Sequence, residues 1–346
     1  MKRGLVTLDP AQIPRDAYAA RIDAVREILV GSHAEIGLIY GDVSRSGDIN
    51  FLSNLCLYWN EAVLAVPREG APALITKLSK RVTTWMRQTS VLDEIRSGPR
   101  LAESVGTFVQ DRLGGRKGVL ALVDLPCWPN NLVNQLLKTM PQRELVDLGP
   151  AVRDFRLQPS IEERRLLEAG AHLLDNALTT AWGESSPDDR ISSAVRALRR
   201  SGFQEATVSC GEFHDGSEFI DAIGQYRDVW LRQSRPGGGP IAISAGAALR
   251  SALAAAKPGA TEASLSRVAA TQIGAGRSTT LSCFPHADLE TRGLYRNTKD
   301  AERALRAGEV VCIAVTSAGE EGVLSAADTV TITEHGAAPL FRKEGL

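Results

Sequence analysis

The sequence lacks the features that mark a disulfide-rich, zinc-ribbon or membrane protein. Its five cysteines are odd in number and widely separated, and no two of them form a C-x-x-C pair. It has no uninterrupted apolar run of about 18 residues, and its N-terminal residues contain no apolar signal-peptide core. We therefore expect a chain without membrane spans, located in the reducing cytoplasm.

The chain also lacks an excess of charge of either sign. It contains 40 basic and 41 acidic residues, for a net charge of −1. This balance gives no reason to expect binding to nucleic acid or to an anionic membrane surface. With 346 residues, 43% hydrophobic and 23% charged, the composition is that of a globular protein of about two domains. We expect its partner to be a small molecule.

Helix and strand patterns alternate over residues 17–150. Apolar residues recur at helical spacing from Ala20 to Leu29, a short apolar strand follows at residues 36–41, and Gly70 occupies the turn of a predicted hairpin. Further strand and helix patterns follow in turn, and such alternation predicts an α/β domain. We place the domain boundary near residue 155, with domains at 1–155 and 156–346, because Ser160 and Glu163 form a capping-box pattern that begins a long helix.

The second half predicts an α+β domain, with antiparallel sheet and covering helices. Two strands flank a turn at residues 214–217, two alanine-rich helices are split by Lys257-Pro258-Gly259, and the last 40 residues contain a strand pair. If the first hairpin has a four-residue turn, Cys210 faces Asp221 and His214 lies at the tip.

Five segments, in order, resemble motifs of the pita-bread family, which includes methionine aminopeptidases, prolidases, Xaa-Pro aminopeptidases and creatinase. They are INFLSN, FRLQPSIEERRLLEAGA, AAAKPGATEASL, LRAGEVVCIAV and GVLSAADTVTITEHGAAPL. The resemblance covers nearly the whole chain. It implies a creatinase-type α/β N-terminal domain, a pita-bread α+β C-terminal domain, and a homodimer in which the LYWN segment offers apolar contact surface.

The same resemblance implies a site from which most metal ligands have been lost. Active peptidases of the family hold two divalent metals with two Asp, one His and two Glu. The two Glu positions fall on Ala314 and Ala327, the two Asp positions on Asp221 and Arg232, and the His position near His286. Alanine has no lone pair for a metal, and an arginine repels a dication. We therefore expect no metal and no other cofactor.

A second register of this strand pair is open. It places Glu218 and Val229 at the two Asp positions and keeps Tyr226 in the family's aromatic pair. Both registers lose the second Asp, so the expectation of a missing dinuclear centre does not depend on the choice.

The residues that are left suggest a metal-independent site. The resemblance to creatinase implies that this fold can hydrolyse a C–N bond without metal, with a histidine as the acid/base group. We therefore assign His286 and Asp221 as catalytic. His214 is a weaker alternative, because a solvated turn residue explains it. Arg232 is expected to bind a substrate carboxylate, or else to form an internal ion pair. The other predicted substrate-binding residues are Asp328, Trp230 and Tyr226.

Two functions follow from this pattern. The first is a metal-independent hydrolase that acts on a C–N bond of a small amino-acid-like or carboxylate-bearing substrate. The alternative is a catalytically inactive pseudo-peptidase that serves as a binding or dimeric scaffold protein. Convergence of His286, Asp221, Asp328 and Arg232 on an open pocket favours the first, and internal pairing of Arg232 favours the second.

Overall fold

The computed structural model describes residues 7–57, 59–114, 117–273, 277–290, 302–320 and 322–340. The chain divides into two compact units, Met1–Arg156 and Leu157–Leu346. The roles predicted for residues 1–155 and 156–346 stay predictions. Among the described residues, no helix combines the length and the apolar character needed to cross a membrane.

The first unit is built on one mixed six-stranded sheet. Its strands are β1 Ala34–Gly41, β2 Ala62–Pro67, β3 Ala73–Thr76, β4 Glu94–Ser97, β5 Gly118–Val123 and β6 Arg143–Asp147. They lie in the order β4-β3-β2-β1-β5-β6. Strand β1 runs parallel to β5 and antiparallel to β2, and the predicted hairpin joins β2 to β3 with Gly70 at φ +92°.

Helices cover both faces of this sheet. They are α1 Arg15–Gly31, α2 Gly47–Ser53, α3 Thr83–Thr89, α4 Leu101–Leu113, α5 Asn130–Thr139 and α6 Gly149–Arg156. Successive side chains of β1 point to opposite faces of the sheet, so β1 contributes to a hydrophobic core on each face. Leu38 packs with Phe108 of α4 and Leu136 of α5 on one face. Ile39 packs with Val25 of α1 on the other. The predicted α/β layer is therefore present.

The second unit begins with the predicted capping box. Helix α7, Ile161–Trp182, follows Ser160, whose hydroxyl accepts the backbone N–H of Glu163 (3.3 Å) while its own N–H donates to Glu163 Oε2 (3.0 Å). The later helices are α8 Pro187–Arg200, α9 Pro240–Ala255 and α10 Glu262–Ala270. The last two are the predicted alanine-rich pair, separated at Pro258-Gly259.

Two antiparallel sheets complete the second unit. One contains β7 Phe203–Glu212, β8 Glu218–Tyr226 and β9 Val229–Pro236, and the other contains β10 Ser278–Pro285, β11 Val310–Gly319, β12 Gly322–Thr333 and β13 Gly336–Pro339. Along β11, Ile313 and Val315 pack under α9 and α10, whereas Cys312 and Ala314 lie on the opposite side, here called the inner face. Strand β9 lies against β12, so the two sheets meet at the Arg232 backbone N–H, which donates to Thr329 Oγ1 (2.9 Å).

The predicted facing of Cys210 and Asp221 is wrong by one residue. Ser209 lies opposite Asp221, and Cys210 lies opposite Ile220. The turn is a three-residue loop, residues 214–216, closed by the Phe213 N–H donating to the Ser217 carbonyl (2.8 Å) with Gly216 at φ +77°. A type I turn followed by a left-handed glycine makes such loops, and shortening the turn by one residue shifts every pair in the hairpin.

Candidate active site

Two of the predicted residues form the polar centre of the inner face. Arg232 Nε donates to Asp221 Oδ1 (3.1 Å), and Arg232 Nη2 donates to Asp221 Oδ2 (3.0 Å). Ser234 Oγ donates to the same Oδ1 (2.5 Å), and Arg232 Nη2 also donates to Ser325 Oγ (2.7 Å). Burial lowers the pKa of the guanidinium, but the Asp221 charge outweighs it and holds that pKa above its usual value. The two side chains therefore act as one neutral unit.

The two alanines that stand at the glutamate positions face each other. Ala314 of β11 pairs directly with Ala327 of β12, and each is 1% exposed. Around them lies an apolar cluster that includes Trp230, Leu289 and Cys312. Burial raises the pKa of the Cys312 thiol to about 12, which keeps it protonated and neutral. This part of the inner face is packed as a core.

His286 is close in the fold to this cluster but is itself enclosed. It is 1% exposed and begins a short 3-10 turn, His286–Asp288, that follows β10 and packs against β9 and β11. The next residue after this turn, Leu289, belongs to the apolar cluster. The structure thus brings the turn that carries His286 to the inner face.

Asp328 lies on the other face of β12. Its neighbour Ala327 points to the inner face, and strand alternation sends Asp328 toward α7, where Ala171 and Leu174 line a small cavity of about 30 Å³ with it. Burial raises the pKa of Asp328 to about 7, and the charge of Asp175 adds to the rise while Arg235 opposes it. The structure does not bring Asp328 together with Asp221.

The two predicted aromatic residues are also separated. Trp230 belongs to the inner cluster and is 8% exposed. The Tyr226 ring packs against Phe203, with centroids 5.4 Å apart, and against Gly170 of α7. His214 is exposed in the hairpin loop. These positions give Trp230 alone of the three a place in the inner cluster.

The geometry distinguishes the two registers proposed for β8 and β9. Asp221 and Arg232, the residues of the first register, bond to each other. Glu218 and Val229 begin antiparallel strands, so they lie at opposite ends of the hairpin, and Glu218 pairs with Arg190 (3.3 Å). The structure therefore brings together the residues of the first register only.

A cavity of about 180 Å³ adjoins the ion pair. Its described lining consists of Thr207, Ser209, Asp221, Ile223, Arg232, Phe284 and Leu289. Strand β7 forms the edge of its sheet, and both Thr207 and Ser209 are exposed, so solvent reaches the cavity from that side. One wall is polar and the other is apolar, a combination that suits a small organic molecule.

The donor set does not fit a dinuclear metal centre. Within the described ranges, no three His, Cys, Asp or Glu side chains form a group that could hold a metal ion. Asp221 is bound by a guanidinium, and the alanines opposite each other have no donor atoms. Two adjacent dications need several anionic oxygens, and these residues supply one carboxylate that is already neutralised.

Several polar residues of the inner face were not predicted from the sequence. Ser234 and Ser325 bond to the ion pair, Thr329 Oγ1 donates to the Arg232 carbonyl (2.8 Å), and Ser209 lines the cavity. Strand alternation could have predicted two of them. Ser325 and Thr329 lie two residues on either side of Ala327, so their side chains point to the same face of β12.

Comparison with known proteins identifies the fold of this chain. No protein-family model matches the chain, and no curated protein matches it. Among solved structures, a prolidase from Pyrococcus horikoshii OT3 superposes with a TM-score of 0.73 at 18% identity, covering 94% of this chain and 100% of that one. An X-Pro aminopeptidase from Thermotoga maritima MSB8 gives 0.75 at 15% identity, with 93% and 97% covered. The dipeptidase PepE from Mycobacterium ulcerans gives 0.70 at 16%, with 95% and 96% covered.

The chain therefore has the pita-bread fold of prolidases, Xaa-Pro aminopeptidases and dipeptidases. The predicted fold is confirmed, as is the predicted resemblance at the level of structure. The low identity makes this a divergent example of the fold, and fold alone does not give the reaction.

Proposed function

We propose that this protein is a pseudo-peptidase: a pita-bread protein that binds a small molecule in its inner-face cavity and does not hydrolyse peptides. The ion pair between Arg232 and Asp221 carries the proposal. It occupies the two positions that the family resemblance gives to metal-binding aspartates, and it leaves the cavity beside it open.

The electrostatics of the inner face support the loss of peptidase chemistry. A metallopeptidase needs carboxylates to hold its metals and a metal-bound water as nucleophile. Here a guanidinium lies beside the first carboxylate and repels any dication that approaches. The positions of both glutamates belong to alanines packed against Trp230. We propose that the protein is independent of metals.

The metal-independent C–N hydrolase is the second candidate, and the cavity is the observation that favours it. In that mechanism Arg232 orients a substrate carboxylate and His286 carries the proton. It ranks below the binding function for two reasons. The first is that Nε and Nη2 of Arg232 already donate to Asp221. The second is that His286 is buried, at 1% exposure, and the described lining of the cavity includes Phe284 and Leu289 but not His286.

Metal content and turnover together test the proposal on the full chain. Elemental analysis should find far less than one Zn, Mn, Co or Fe per chain. Xaa-Pro dipeptides should stay intact with and without added Mn²⁺ or Co²⁺. Stoichiometric metal with metal-dependent hydrolysis would overturn the proposal. Metal-free turnover of a small C–N substrate, lost in His286→Gln, would establish the second candidate instead.

We further propose a cytoplasmic homodimer without nucleic-acid or membrane partners. The motivation is the neutral charge balance and the exposed indole of Trp59, 44% accessible in the first unit. The resemblance to creatinase implies pairing through this unit.

A further inference from the structure

Arg232, which lines the inner-face cavity, has hydrogen-bond donors that its bonds to Asp221 and Ser325 do not use. Arg232 has five N–H groups, and the contacts to Asp221 and Ser325 involve only Nε and Nη2. Its Nη1 donates to none of the residues that the structure describes, and Arg232 lines the cavity. Ser209, directly opposite Asp221, adds an exposed hydroxyl that can donate or accept.

The charge at this site is balanced before any ligand arrives. A ligand carboxylate beside Nη1 is attracted by the guanidinium and repelled by the Asp221 carboxylate bound to it, and the two effects largely cancel. An ammonium or amidinium meets the same cancellation with the signs reversed. Either ion still loses its hydration on entering a cavity walled by Ile223, Phe284 and Leu289. Charged ligands are therefore disfavoured.

A neutral carbonyl avoids this cost. Its oxygen can accept from Nη1, and a bond from a charged donor is about twice as strong as one between neutral groups. The volume of about 180 Å³ is enough for an apolar body of one ring, since an apolar protein cavity of about 150 Å³ binds benzene. An amide also offers N–H groups that Ser209 can accept.

We propose that the cavity takes an uncharged, carbonyl-bearing small molecule, of the primary-amide class and about one ring in size, and that it discriminates against charged molecules of the same shape. This inference rests on the proposed binding function and names its ligand class. It differs from the carboxylate ligand that was one of the two sequence-based expectations for Arg232, because the structure shows the other, an internal ion pair in which Asp221 neutralises Arg232.

Three molecules of one shape test the inference: benzamide, benzoate and benzamidinium. Each is titrated calorimetrically into the full chain near pH 7.5. Benzamide should bind at least about tenfold more tightly than either ion, because it alone forms the Nη1 bond without carrying a charge out of water. Equal or tighter binding of benzoate or benzamidinium overturns the inference, and so does an absence of benzamide binding.

Two variants connect the binding to the ion pair. Asp221→Leu/Arg232→Met replaces both partners by apolar groups and should weaken benzamide binding about tenfold. Arg232→Lys keeps the charge but has no Nη1, and should weaken it similarly even if the double variant fails to fold. The control is Arg100→Met/Glu103→Leu, an exposed ion pair of the first unit, which should leave affinity unchanged.

Unchanged benzamide affinity in a folded Arg232→Lys variant would overturn the inference. Failure of the proposed function has a different signature, which is metal-dependent hydrolysis of dipeptides. Binding of benzoate alone, without hydrolysis, would contradict the ligand class and leave the pseudo-peptidase proposal in place.

Discussion

Arg232 of β9 binds Asp221 of β8 through two parallel hydrogen bonds of 3.1 and 3.0 Å, although the two residues are not directly opposite each other in the hairpin. Arg232 lies opposite Ile223, so the long guanidinium side chain reaches diagonally along the same face. The arrangement places a complete ion pair where the family resemblance expects two carboxylates.

Truncation of Arg232 is expected to destabilise the second unit. In Arg232→Ala the Asp221 carboxylate, whose side chain is 11% exposed, keeps the Ser234 hydroxyl as its one bonded partner among the residues that the structure describes. Loss of one member of a buried pair costs about 3 kcal/mol of unfolding free energy. Urea unfolding of the variant and the wild type measures the difference.

A matched control is Arg277→Ala, since Arg277 donates to Ser317 and Gly322 in the same unit and bonds to no carboxylate in the described part of the chain. It should cost less than Arg232→Ala, because it leaves no buried charge behind. Equal losses in the two variants would contradict the role given to the Arg232–Asp221 pair.

Asp328 should make stability fall as the pH rises. Burial raises its pKa in the folded protein from about 4 to about 7, so between these values the folded state holds a proton that the unfolded state has lost. The contribution of Asp328 to stability is therefore greatest below pH 4 and declines as the pH rises through 7. Asp328→Asn removes the decline, and its advantage over the wild type should grow from pH 5 to pH 8, to no more than about 4 kcal/mol.

Melting temperatures measured across this pH range test the assignment. Glu320→Gln is the control, because Glu320 is an exposed carboxylate at the end of the same hairpin. The change of the Asp328→Asn difference with pH should exceed that of this control. A difference between Asp328→Asn and the wild type that does not change with pH would contradict the linkage.

Rebuilding the missing carboxylates should create metal sensitivity. The variant Arg232→Asp/Ala314→Glu/Ala327→Glu places three new carboxylates beside Asp221, and their mutual repulsion should lower the melting temperature without metal. Mn²⁺ or Co²⁺ should then raise it, because a ligand that binds only the folded state stabilises that state.

The wild type under the same metals is the comparison, and its melting temperature should not change. A second control adds Asp221→Asn to the variant and should reduce the metal response. A rebuilt variant that folds but ignores both metals would show that Ala314 and Ala327 do not occupy ligand positions.

Trp59 is expected to contribute to a dimer contact. The protein should elute with twice the chain mass of 37.1 kDa in light-scattering measurements at micromolar concentration. Trp59→Ser should shift the population toward monomer, since an indole that is 44% exposed is a typical interface anchor. Leu137→Ser, at 43% exposure in the same unit, is the matched control and should not. A monomeric wild type would contradict the prediction.

The sequence by itself determined the elements and the fold. Helical spacing predicted α1, the Ser160–Glu163 capping box predicted the start of α7, and the apolar pattern predicted the β11–β12 strand pair. These signals are local: caps, turn residues and periodicity act over a few neighbouring positions, so they can be read without knowing the rest of the chain. The ordered motifs then pointed to the pita-bread fold.

Only the tertiary structure decided which of the candidate residues meet. It paired Arg232 with Asp221 and with Ser325, 93 positions along the chain, and it placed Asp328 on the far face under α7. These outcomes depend on how β9 lies against β12 and on the length of the β7–β8 loop. That loop is one residue shorter than predicted, so Cys210 lies opposite Ile220 and not opposite Asp221. Hydrogen bonds between distant strands are fixed by register and packing, and no local pattern in the sequence encodes them.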